Sequence, residues 1–316
     1  MYKKFFISIL FVVFIISTSQ VLIAYSLSNN NVWNNVFPNI ILDKHKQISK
    51  NIKQPKILIV SGSNSFFGIN TELMSKELNY VIINHGSAVG LSLDYILNES
   101  KNCINNNDIV ILPIEYAIYC EDRLSETRIV QIWQNDKQYF DRMLFIDKIE
   151  LLYSIPIDLI KKVVGTYIGI PIKNEDKLAY VAINKHGDTI YNLETEKNLI
   201  KIKEPFDKNK IYLDENTKQT IIDFLNYCRA KNVKVFVTYP SYYYNQNYFD
   251  GYNLEQINKI NDFWKEQNVT ILGQYTDFIY TDKNDFYNTE YHLNIKGREK
   301  RTEKLIELLR PYINNN

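Results

Sequence analysis

Four apolar residues in a row, Ile57-Leu58-Ile59-Val60, run directly into Ser61-Gly62-Ser63-Asn64. A short, continuous apolar run has no polar side to turn toward water, so it fits a strand covered on both faces, as in a parallel sheet. Ser, Gly and Asn then supply a tight turn. The same order recurs along the chain. It predicts a helix over 71–78, a strand over 81–84 with a turn at Gly86, a helix over 91–97 and a strand over 108–112. After a gap come a helix over 219–230, a strand over 233–237, a helix over 254–265, a strand over 269–272 and a last helix over 300–309. Strands that alternate with helices predict an α/β fold, a doubly wound parallel sheet with helices on both faces.

The middle of the chain, 117–216, breaks that alternation. It carries helical stretches around 125–147 and 158–164. A strand-like pair over 177–192 is interrupted by His186-Gly187-Asp188. This region is expected to be an inserted helical and hairpin segment, or a cap, on a domain running from 56 to 316.

Lys3 and Lys4 precede an apolar run from Phe5 to Ile16, a polar break (Ser17-Thr18-Ser19-Gln20) and a second apolar run to Tyr25. As one helix, Phe5 to Tyr25 is roughly 30 Å long, enough to cross a bilayer. The leading lysines would hold the N-terminus in the cytoplasm and place the rest outside. Ala24-Tyr25-Ser26 also offers the small residues of a signal-peptide cleavage site. Residues 1–25 are therefore a membrane anchor or a cleaved signal peptide. On either reading the main domain is extracytoplasmic, membrane-bound by a single pass in the first case and secreted in the second. The stretch 26–55, rich in Asn, Ser, Lys and Gln, reads as a linker.

Lys+Arg number 37 and Asp+Glu 36, so no basic excess supports nucleic-acid binding. The 3 cysteines leave an odd count. Cys103 and Cys120 could pair, or all three, with Cys228, could be small buried residues. No CxxC or His-rich spacing suggests a metal, and the chemistry below needs no cofactor.

In open parallel sheets ligands bind beyond the carboxyl ends of the strands. Ser63 stands there after the first strand, Asn84 and Gly86 after the second, Glu115 after the third, and His292 in a loop before the last helix. A serine on a strand-to-helix turn is well placed for nucleophilic attack, but needs a base within hydrogen-bond reach. His292 is the best base among the 4 histidines. His85 reads as a packing residue, and His45 and His186 carry no assigned role. Tyr242-Tyr243-Tyr244 reads as loop surface, with stacking on sugar rings as an alternative.

In this order and spacing, Ser61-Gly62-Ser63-Asn64, Asn84, Gly86 and His292 resemble the SGNH (GDSL-type) hydrolases over about 56–116 and 217–310. Tyr291-His292-Leu293-Asn294 with Gly297 and Arg301-Thr302, and the segment Asn184-Lys185-His186-Gly187-Asp188, resemble a membrane-anchored extracytoplasmic branch that accompanies polysaccharide O-acylation. The resemblance implies a three-layer fold and a Ser63 nucleophile with His292 as base. Asn64, Asn84, Gly86 and Glu115 would line the oxyanion and substrate pocket, with the Ser63 and Gly86 N–H groups holding the oxyanion. It further implies a cell-envelope glycan or acyl-donor substrate and a membrane-bound O-acyltransferase as partner. The sequence departs from the family pattern twice. Glu115 stands where the family has its oxyanion asparagine, and Thr289 stands where its acid precedes the histidine. Asn288, Glu290 and Asp285 are the nearby groups that could orient the imidazole. An acyl-transfer or ester-cleaving enzyme and a catalytically impaired glycan-binding or scaffold protein are both consistent with these departures. A secreted lipase or esterase has no long apolar lid to support it.

Overall fold

The computed structural model describes residues 2–29, 37–120, 129, 131–132, 136–155, 157–169, 182–190, 194, 204–244 and 250–313. The chain groups into two compact units, one of residues 1–40 with 123–178, the other of residues 41–122 with 179–316.

The second unit is an α/β fold. Its main sheet has five parallel strands, β1 (Ile57–Ser61), β2 (Ile82–Gly86), β3 (Ile109–Leu112), β4 (Lys234–Thr238) and β6 (Thr270–Leu272), in the order β2-β1-β3-β4-β6. Every residue of β1, β2 and β3 is buried, which explains the apolar runs of β1 and β3, while β2 buries the polar Asn84 and His85 after its two isoleucines. The chain leaves β1 toward β2 on one side and returns to place β3 on the other. The carboxyl ends of β1 and β3 therefore flank the point where strand order reverses, the crevice that open α/β sheets use for ligands. Ser61 pairs with Gly86 at the last register position of β1 and β2. A second, two-stranded parallel sheet joins β5 (Tyr242–Tyr243) to β7 (Ile279–Tyr280).

Helices cover both faces of the main sheet. On one side lie α3 (Ser63–Gly68), α4 (Thr71–Leu78) and α11 (Ile295–Ile313), and on the other α5 (Leu93–Ser100) and α9 (Glu215–Ala230), with α10 (Gly251–Glu266) beside β6. Side-chain caps fix several starts: Asn70 Oδ1 accepts from Leu73 N, Asp214 from Thr217 N and Asp250 from Asn253 N. Asn79 ends α4 in the left-handed region at φ 49°.

Several boundaries differ from the sequence reading. Gly86 is the last residue of β2 rather than a turn, and Ser63 begins a short helix directly after β1. Residues 37–51, read as linker, form helix α2 (Phe37–Asn51), and the second unit starts at 41 rather than 56. Its Ile41, Leu42, His45 and Ser49 are buried. Of the insertion, 123–178 groups with the N-terminal helix, while 179–216 returns to the α/β unit. The strand-like pair reduces to a single antiparallel bridge, Ile183 to Thr189, and the rest of its extent falls outside the described residues. Cys103 and Cys120 are not joined; all three cysteines are free and buried.

The first unit contains α1 (Tyr2–Asn29), α6 (Lys137–Arg142), α7 (Phe145–Tyr153) and α8 (Ile157–Tyr167). Residues Tyr2–Ser26 are long and apolar enough to cross a membrane or to act as a signal sequence.

Candidate active site

Strand β1 delivers the chain to Ser61 and Gly62, and α3 starts at Ser63. Ser63 is half-buried, whereas Asn64 to Gly68 are all buried. The turn thus exposes one hydroxyl and hides its neighbours.

His292 comes from the loop ahead of α11. An antiparallel bridge from Phe286 to Leu293 closes that loop, and the Tyr287 N–H donates to the His292 carbonyl at 2.8 Å. Thr289 Oγ1 accepts the N–H groups of Tyr291 and His292 at 3.2 and 3.1 Å. At the position where an acid was sought, a hydroxyl instead shapes the backbone that carries the histidine. Phe67 lies against the imidazole, ring centroids 4.5 Å apart.

The two elements meet. His292 Nε2 lies 2.8 Å from Ser63 Oγ, and His292 Nδ1 lies 2.8 Å from Asn288 Oδ1. With an acceptor oxygen at Nδ1, the ring carries its proton there and offers the Nε2 lone pair to the Ser63 hydroxyl. That is the tautomer a general base needs. Although some of its surface is accessible, the ring sits deep enough in the protein that desolvation pulls its pKa down to about 3. Asn288 has no charge with which to counter this. The histidine is therefore neutral throughout the ordinary pH range.

The other four residues expected at the site are buried beneath it rather than lining it. Glu115 does not face a developing oxyanion. Its Oε2 accepts from Ser61 Oγ at 2.7 Å and Gly62 N at 3.1 Å, and its Oε1 accepts from Asn64 N at 2.9 Å. The carboxylate clamps the turn from below. Asn64 Nδ2 donates to Ser61 Oγ and to the Pro113 carbonyl, so this side chain also braces the turn. Asn84 Nδ2 donates to the Ser65 carbonyl and to Asp188 Oδ1, while its Oδ1 accepts the Gly86 N–H at 2.9 Å. The N–H expected in the oxyanion hole is thus already engaged. Gly86 has a different role: a Cβ there would lie 2.4 Å from the Phe66 backbone nitrogen, so its lack of a side chain lets α3 approach β2. Of the three amides in the turn, Gly62 and Asn64 donate to Glu115, and Ser63 N–H, at the first position of α3, has no acceptor among the described residues.

Two supporting residues had no assigned part in the site. Asp188 accepts from Thr71 N, Thr71 Oγ1, Glu72 N and Asn84 Nδ2. Burial pushes its pKa up, and these hydrogen bonds pull the other way. Arg301 is fully buried and donates Nη1 to the Asn64 carbonyl at 2.9 Å and Nη2 to the Tyr239 carbonyl at 3.2 Å. It ties α11, which follows His292, to the residue after Ser63. Desolvation lowers the guanidinium to about 10, so it stays charged.

His85 faces away from Asn84, as alternation along a strand requires. Burial opposes its protonation, but Cys103 and Glu99 outweigh this and lift it to about 10. The ligand atoms of His85, Glu99 and Cys103 all lie within 4.8 Å of one another, the one such grouping among the described residues. Glu99 already faces two cations, Lys46 from α2 and His85 at 3.3 Å, so the group balances its charge internally. His45 lies against His85, tilted by 45° with ring centroids 5.0 Å apart.

No protein-family model matches the chain and no curated protein matches it, so the functional reading rests on the arrangement of Ser63, His292 and Asn288.

Proposed function

We propose that this protein is a serine-dependent acyl-transfer or ester-cleaving enzyme of the SGNH type. We place it at the outer face of the membrane, anchored by α1, with cell-envelope polysaccharide as acceptor or substrate. The observation that carries the reading is the 2.8 Å contact between Ser63 Oγ and His292 Nε2, with Asn288 behind the ring. Two residues 229 positions apart meet there with the tautomer and spacing of a nucleophile and its base. Their place beyond the carboxyl end of β1, beside the switch in strand order, supports a ligand site.

Ser63 Oγ attacks the carbonyl carbon of an ester while its proton passes to His292 Nε2. The Ser63 N–H is the amide of the turn left to take the oxyanion. Collapse of the tetrahedral intermediate breaks the ester C–O bond, and the departing alcohol takes the proton from Nε2. A glycan hydroxyl, or water, then attacks the acyl-serine as its proton passes to Nε2; the acyl–Oγ bond breaks and Ser63 Oγ takes that proton back, giving transfer or hydrolysis. An integral-membrane acyltransferase would supply the acyl donor. A fluorophosphonate probe tests this: the expected result is labelling of the wild-type protein and none of Ser63→Ala. No labelling of either, or equal labelling of both, would count against it.

A second reading, a scaffold that keeps the fold and binds glycan without turnover, is favoured by one observation. The Gly86 N–H is bound to Asn84, leaving a single donor for the oxyanion. That reading expects unchanged polysaccharide acylation in cells carrying Ser63→Ala with His292→Ala. Lost acylation with the folded variant present at normal level would refute it.

A further inference from the structure

The polar break in α1 has a structural counterpart. Ser17, Gln20 and Ala24 fall at helical spacing on one stripe, and they are partly or fully covered while Phe14, Val21, Leu22 and Tyr25 around them are exposed. The cover comes from α7 and α8. The Ser17 hydroxyl bonds the Tyr153 hydroxyl at the end of α7, and the Ser26 hydroxyl bonds the Tyr167 hydroxyl at the end of α8. Small and polar residues on one stripe of an apolar helix are what helix–helix packing inside a bilayer uses, because they allow close approach and supply hydrogen bonds where water is absent.

These two contacts order the pair along α1. Helix α7 ends at the level of Ser17, and α8, which begins four residues later, ends at Ser26. Ser17 and Ser26 are about 13 Å apart along α1 and α8 is about 16 Å long, so the lengths agree. Each is roughly the thickness of one hydrocarbon leaflet, and neither helix is long enough to span. The pair carries exposed large apolar residues: Phe145 is 78% exposed, Ile146 64%, Ile157 71% and Tyr167 71%, beside the exposed apolar surface of α1 itself. Isolated apolar residues on a surface need no explanation, but a set of this size continuous with a membrane span does.

We infer that α7 and α8 form a re-entrant hairpin that dips into the outer leaflet beside the uncleaved α1, with lipid acyl chains as the occupant of its exposed face. The inference rests on the proposed anchoring by α1. It assigns the Ser17–Gln20 break to packing, and it gives α1 a folded partner that a discarded signal peptide would not need. Exposed Lys161 on α8 reaches the headgroups with its long side chain.

The test is spin-label accessibility in the full chain reconstituted into phosphatidylcholine–phosphatidylglycerol vesicles. Single cysteines replace Ile157 at the hairpin turn, Phe11 in α1 and Glu215 on α9, and the three native cysteines are buried. Oxygen concentrates in the bilayer, and a neutral nickel chelate stays in water. The expected result is oxygen-dominated relaxation at Ile157 and Phe11, and nickel-dominated relaxation at Glu215. Nickel dominance at Ile157 with oxygen dominance at Phe11 would overturn the hairpin and leave the anchor standing. Nickel dominance at both, or a mature protein beginning after Ser26, would overturn both.

Discussion

Glu115 and Gly62 meet so closely that no methyl group fits between them: a Cβ on Gly62 would lie 2.5 Å from Glu115 Oε1. The carboxylate needs that approach to accept two amides of the turn that carries Ser63. Gly62→Ala must therefore push the carboxylate away and leave buried donors unpaired. Hydrogen bonds to charged acceptors contribute roughly 1.5–3 kcal/mol each, so a loss of about 2–4 kcal/mol is expected in denaturant unfolding. Fluorophosphonate labelling at Ser63 should fall as well. A variant with wild-type stability and labelling would show that the clamp does not set the turn.

His292 is held neutral by desolvation, with its pKa at about 3. A base must be unprotonated to act, so the acid limb of kcat/KM for a small chromogenic acetate ester should lie well below pH 6.5, the ordinary histidine value. Asn288→Asp places a negative charge 2.8 Å from Nδ1 and favours the imidazolium, so the limb should move up in pH and kcat should rise. Asn288→Ala should lower kcat about tenfold or more with little change in KM, because the ring loses its orientation. A wild-type limb near 6.5, or one that Asn288→Asp leaves in place, contradicts this account of the base.

Asp188 gathers three elements on one carboxylate: the start of α4, the side chain of Asn84 on β2, and its own loop. Asp188→Ala strands the buried amide of Thr71 and frees Asn84, which holds α3, the helix that starts at Ser63, through the Ser65 carbonyl. The expected cost is about 3 kcal/mol, seen as a lower midpoint in denaturant. Asp188→Asn, which keeps one acceptor, should recover part of it. Equal loss in both variants would mean that charge, rather than hydrogen-bond geometry, holds the loop.

The legible part of this molecule was the part written in short-range pattern. The run at 57–60, the Gly-Ser turn and the loop before the last helix located Ser63 and His292, because strand ends in a parallel sheet converge whatever lies between them. Asn288 was legible as the group to orient the imidazole, with Glu290 and Asp285 as alternatives. What stayed hidden depended on direction. Nothing in the order of residues says that Glu115 approaches the turn from below, or that Asn84 captures the Gly86 amide and closes the expected oxyanion contact. The segment ending at Asp188 stood out in the sequence, but its contact with Thr71, 117 positions away, leaves no local mark. Helix α2 was obscured by composition: its Asn, Lys and Gln suggested a linker, while Ile41, Leu42, His45 and Ser49 lie on one buried stripe.

That stripe makes the stability of the protein depend on pH in both directions. His45, buried and beside His85, has its pKa lowered well below the ordinary value, first by desolvation and then by the neighbouring ring. The unfolded chain binds that proton more readily, so stability falls as pH drops below about 6.5. His85 behaves oppositely. The groups facing it are Glu99 on α5, Cys103 beyond it, and His45 on α2, with Lys46 pairing Glu99 from the same helix. Its pKa is lifted to about 10, so its contribution is complete below about 6.5 and is lost as pH rises toward 10. Denaturant midpoints of the detergent-solubilised full chain should therefore peak near neutrality. Glu99→Gln removes a charge that favours the imidazolium and should flatten the alkaline arm. His45→Asn, neutral at every pH, should make the acid arm shallower, the part due to His292 remaining, and leave the alkaline arm in place. An alkaline slope unchanged in Glu99→Gln would mean that His85 is not the group being lost.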